Sequence, residues 1–164
     1  MTQATRAALR AYFAALAGLL VIAGAQAAPT RVALGKATIL YDTAVWRATT
    51  AGDGTVTFTC IAADCGGQPR VFASTATVRE LAAALAAARR DSRAVRDDGV
   101  PPLPFPALSY SSGCRGPDAP ILFAGGQIGD DGYRFTTSIL QGCNFNPPLP
   151  EARFVELLRG FETN

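Results

Sequence analysis

From Thr55 to Ile61 apolar and polar residues alternate strictly, with Val56, Phe58 and Cys60 on one side and Thr55, Thr57 and Thr59 on the other. A period of two with threonine on the wet side is a half-buried β-strand, which needs neighbours to pair with and something to cover its apolar face. Ala51-Gly52-Asp53-Gly54 just before it is a hairpin signal. Upstream, Ala37–Tyr41 and Val45–Thr49 are β-prone and separated by a turn at Asp42-Thr43. Downstream, Gln68–Ser74 is the expected antiparallel partner. The region reads as a meander.

The period then changes. Thr77-Val78-Arg79-Glu80 is a capping box: the threonine hydroxyl can accept from the third helical amide while Glu80 reaches back to the cap. Leu81, Leu85 and the alanines between them continue a helix to about Arg90, with Arg89 and Arg90 suited to its C-terminal dipole. Its low bulk predicts close approach to a sheet. Asp91, Asp97 and Asp98 interrupt the basic run of Arg89, Arg90, Arg93 and Arg96, so a solvated helix end is preferred to an anion patch.

Val100–Pro106 is too rich in proline for a helix or a central strand and is read as a stiff crossover packed by Leu103 and Phe105. Ala107–Tyr110, Ile121–Ala124 and Tyr133–Leu140 are further strands, with turn chemistry between residues 125 and 132. The glycines at 125, 126 and 129 are not a nucleotide loop, because a β-prone segment follows where a helix would have to open. Asp130-Asp131 is read as a hairpin tip rather than a calcium loop. After Pro150, which suits a first helical turn, Phe154, Leu157, Leu158 and Phe161 form one helical stripe. Strand runs joined by tight turns, plus two amphipathic helices, define an α+β fold. The expectation is an antiparallel sheet of about six strands with two packed helices, stapled by disulfides.

Residues 1–27 are a separate matter. Arg6 and Arg10 precede a charge-free run from Ala11 to Ala25, and Ala25-Gln26-Ala27 fits a small-x-small cleavage site. That is the anatomy of a cleaved secretory signal peptide, and the run is short of the roughly 20 residues a spanning helix needs. Residues 28–164 are then expected to form a single exported domain, periplasmic or secreted, with no membrane attachment after cleavage. All but one of the 15 basic residues are arginine, and alanine, glycine and proline are abundant, a composition typical of GC-rich bacterial genomes. With 13 acidic residues, and two arginines lost with the leader, the exported part is electrically balanced. Nucleic acid is therefore not an expected partner.

Four cysteines, Cys60, Cys65, Cys114 and Cys143, lie in the exported part, and in an oxidising compartment they read as two disulfides. Of the three connectivities, Cys60–Cys65 with Cys114–Cys143 is favoured, the first closing a short loop and the second pinning the segment after Tyr110. No Cys-x-x-Cys motif lowers a thiol pKa, and the spacings do not suit zinc. The chain has no histidine, which removes Ser-His-Asp and Cys-His catalysis and histidine-ligated metals. No catalytic group, metal site or cofactor is therefore assigned.

Binding is the reading that remains. Trp46, the single tryptophan, stands beside Arg47, while Tyr110 and Arg115 flank the Cys114 loop. Aromatic and arginine side chains anchor partners and anionic ligands, and a pinned loop is ordered before it binds. Trp46, Tyr110 and Arg115 are thus the candidate contacts, although Trp46 also suits the core. The expected partner is a periplasmic protein or a small anionic ligand. The alternative is a small hydrolase with two carboxylates about 5 to 9.5 Å apart across a cleft.

Tyr41–Trp46 opening the sheet, the capped helix at 78–90 and the closing helix from Phe154 to Phe161 give an element order that resembles the PsbP-like fold of small exported proteins. The resemblance covers most of residues 36–162 and implies accessory or partner-binding work rather than catalysis. It carries over no functional residue.

Overall fold

The computed structural model describes residues 28–90, 92–97, 102–111, 120–137 and 147–163. Thr30–Leu34 (β1) and Ala37–Tyr41 (β2) form an antiparallel hairpin, and Phe161–Thr163 (β10) pairs with the other side of β2. Seven further strands make the second sheet: Trp46–Thr50 (β3), Val56–Cys60 (β4), Arg70–Ala76 (β5), Ser92–Ala94 (β6), Ala107–Tyr110 (β7), Ile121–Ile128 (β8) and Asp131–Thr136 (β9). Their spatial order is β3-β4-β5-β9-β8-β7-β6, and every pairing is antiparallel. The architecture is α+β with strands in two sheets rather than one sheet of about six. The added strands are β1, β6 and β10. Two of them are only three residues long, too short to leave a period in the sequence.

The capping box forms as expected at helix α1, Val78–Ala88. The Glu80 amide donates to Thr77 Oγ1 over 3.2 Å, and the Thr77 amide donates to Glu80 Oε2 over 2.7 Å. Ala88, with Ala84 and Leu85, meets Tyr110, Ile121 and Phe123 on one face of the large sheet. Helix α2, Glu151–Arg159, sends Phe154, Leu157 and Leu158 into the main core, which is shared by the two sheets. Burying each such side chain contributes roughly 1.5–3 kcal/mol. Three ion pairs fix the rim of α2: Arg93 to Glu151 at 2.7 Å, Arg153 to Asp64 at 3.0 Å, and Arg159 to Asp97.

Two local readings need correction. Residues 125–132 are not one turn: β8 runs on to Ile128, and only Gly129-Asp130 separates it from β9. The glycines are there for close approach on both faces of the strand. A Cβ at Gly126 would stand 2.6 Å from the Phe105 ring, and one at Gly125 would stand 3.2 Å from the Leu81 side chain of α1. The second helix also ends at Arg159, with Pro150 as its N-cap rather than inside the first turn, so Phe161 belongs to a strand. Phe161 still completes the apolar stripe, because β10 delivers its ring to the same core.

Cys60 and Cys65 are joined in a disulfide, with Cα atoms 6.0 Å apart across a short 3-10 turn at Ala63–Cys65. Closing so short a loop stabilises by about 2 kcal/mol on chain-entropy grounds. Cys114 and Cys143, expected to pair, and residues 1–27, expected to be a cleaved leader, lie outside the described residues. No helix among the described residues is long and apolar enough to cross a membrane.

Candidate functional site

The large sheet has two unlike faces. One carries Val56, Phe58, Val71, Ala73 and Phe135 into the main core. The other is covered by α1 over β7, β8 and β9, while its β3-β4-β5 portion carries a different set of side chains. Register defines that portion row by row. Arg47 pairs with Thr59, and Thr59 pairs with Arg70. The next outward row runs Thr49, Thr57, Phe72, Thr136. The row after that holds Ser74 and Arg134.

Arg47 and Arg70 are exposed and stand two strands apart, about 10 Å between backbones. Thr59 between them is only 8% exposed although its side chain is on the outer face. Among the described residues neither Arg47 nor Arg70 forms an ion pair, and no carboxylate occupies the three rows. Arg134 is half-buried, donates to Ser74 Oγ over 3.3 Å and lies near enough to Glu80 to favour its charged form. Two uncompensated guanidiniums held by a rigid sheet can receive carboxylate or phosphate oxygens with little reorganisation.

The residues expected to make contacts are distributed differently. Trp46 is 1% exposed, with its ring edge-on to Phe58 at 6.4 Å, and its indole Nε1–H has no hydrogen-bond partner among the described residues. Tyr110 is buried against α1, where loss of solvent raises its hydroxyl pKa. Both of these expected contacts therefore have their rings inside the protein among the described residues. Arg115 lies outside the described residues. The neighbour of Trp46, Arg47, is the residue on the wet face. Alternation along β3 carried that signal, since adjacent strand residues point to opposite faces.

A second feature is a hollow of about 310 Å³ lined by Thr75, Thr77, Glu80, Asp130 and Asp131. It brings the carboxylates of Glu80, Asp130 and Asp131 to one rim. A hydrolytic acid needs its pKa pushed up, but Glu80 is held below its ordinary value, chiefly by the Thr77 amide and then by the Thr77 hydroxyl. Asp131 accepts from Lys36 Nζ at 3.0 Å. These carboxylates close a helix cap and tie down the β1–β2 hairpin.

The same chemistry sets an acid response. Asp64 is lowered mainly by its hydrogen bond from Arg153, Asp53 by the Thr55 amide, and Glu80 by the Thr77 amide. Each folded pKa lies below the unfolded one, so the stabilisation is full above the unfolded values and is lost as pH falls through the folded ones. Urea midpoints should therefore be flat from pH 7 to about 5 and decline below about pH 4. Asp64→Asn should remove part of that decline, and a midpoint unchanged down to pH 2 would contradict the assignment.

The fold and this site define an α+β protein of two antiparallel sheets with an open arginine-bearing face. In comparisons with known proteins, the chain matches no protein-family description, no curated protein and no solved structure.

Proposed function

We propose that this is an exported, periplasmic accessory or binding protein that receives an anionic partner on the outer face of β3-β4-β5. The observation that carries the reading is the Arg47–Thr59–Arg70 row, two exposed guanidiniums without an ion-pair partner among the described residues, on a face whose rows hold no carboxylate. Export is supported by the leader at 1–27 and by the Cys60–Cys65 pairing, which suits an oxidising compartment. The PsbP-like element order points the same way. Native mass spectrometry of the protein recovered from periplasm tests the reading. The expected species starts at Ala28, is oxidised, and retains an acidic partner or anionic adduct that Arg47→Gln with Arg70→Gln removes. Recovery of the uncleaved chain in the cytoplasm, or an adduct indifferent to both substitutions, would overturn it.

A further inference from the structure

Resting on that binding reading, we infer that the outer face of β3-β4-β5-β9 is a site for an acidic oligosaccharide, a short chain of sugar rings bearing carboxylates. The first support is what the face cannot offer. β4, β5 and β9 are interior strands, so their backbone groups are engaged in ladders on both sides. A peptide added as a strand could pair only along the outer edge of β3, in the plane of the sheet and clear of Arg70, Phe72 and Arg134. Recognition over β4, β5 and β9 therefore runs through side chains.

The second support is what those side chains are. The Arg47–Thr59–Arg70 row sits at one end and the Ser74–Arg134 row at the other. Arg70 and Ser74 are four positions apart on β5, so the rows are separated by about 13 Å along the strand. Between them on the same face Phe72 is half-buried and flanked by threonines. Two guanidiniums without an ion-pair partner among the described residues at one end, Arg134 beside Ser74 and Glu80 at the other, an apolar ring between them and hydroxyls beside it match a ligand with anionic groups, apolar ring faces and many hydroxyls of its own. A compact anion such as phosphate would use one row and leave Phe72 without a role.

Isothermal titration of the protein with tetragalacturonate, the uncharged galactose tetramer and tetraglutamate tests this. The uronate should bind with an affinity that falls as salt rises, and the neutral sugar should not bind. Arg47→Gln with Arg70→Gln should weaken the uronate at least tenfold, and Phe72→Ala should weaken it severalfold, with circular dichroism unchanged in both variants. If tetraglutamate binds and the uronate does not, the oligosaccharide assignment is overturned while the anion-binding reading stands. If neither binds, both fall. Uronate binding unaffected by all three substitutions would place the sugar elsewhere and also overturn the assignment.

Discussion

Truncating Phe161 to alanine is expected to cost about 3–5 kcal/mol of folding free energy, a large share of the roughly 5–15 kcal/mol available to a domain. The ring is 8% exposed at the first position of β10. Its centroid lies 5.0 Å from Phe105, 4.9 Å from Tyr133 and 5.9 Å from Phe135. Three aromatic partners from the crossover and from β9 meet one residue of the small sheet, so the truncation loosens the two sheets together. The melting temperature should fall by roughly 10–15 °C and the urea midpoint should drop in proportion. Glu162→Ala, exposed on the same strand, should stay within about 0.5 kcal/mol of the parent. A loss below about 1 kcal/mol for Phe161→Ala would mean that the sheets do not share this cluster.

Phe161 also shows where sequence reading reaches its limit. Its spacing from Phe154, Leu157 and Leu158 is that of one helical stripe, and burial of all four agrees with the pattern. The chain nevertheless leaves the helix after Arg159, because β2 offers a ladder that three residues can join. Periodicity reports which side chains go inside, and it does so for helix and strand alike when the run is short. The capping box was legible because it is a local exchange of two hydrogen bonds that depends on nothing distant. The glycine pair at 125 and 126 was not, since its reason lies in Phe105 and Leu81, remote in sequence.

The candidate site was legible in part. Arg47 shares a phase with Thr49, and Thr57 with Thr59, so a hairpin around Gly52 puts all four on one face. Adding Arg70 requires the register across residues 61–69, where the 3-10 turn and the disulfide set the loop length. No local rule fixes that register, and a slip of one residue would send Arg70 into the core. Trp46 attracted attention as a lone tryptophan, although the same alternation that exposes Arg47 buries it. Residue type gave the chemistry, and only pairing gave its address.

Gly160→Ala should be the most damaging small substitution in the described chain. Gly160 caps α2 with φ −77° and ψ 0°, backbone angles that alanine adopts without strain. Conformation is therefore not what demands glycine here. A Cβ at this position would overlap the Leu40 carbonyl oxygen of β2. The Leu40 amide donates to the Gly160 carbonyl over 2.7 Å, so the two backbones are held at contact distance and neither can give without losing that bond. Overpacking against a flexible side chain costs about 1–3 kcal/mol, and backbone against backbone should cost about 3 kcal/mol or more. β10 begins at the next residue, so the displacement should also unpair it from β2 and speed amide exchange at Leu40. The matched control is Gly52→Ala in the β3–β4 hairpin, where nothing lies within 4 Å of the added methyl. That change should be neutral or stabilise by up to about 1 kcal/mol through the unfolded state. Equal urea midpoints for the two variants would show that helix α2 and strand β2 stand further apart than a methyl group requires. A large loss confined to Gly160→Ala would show that the close approach of these two backbones, and not the glycine's freedom, is what the position selects.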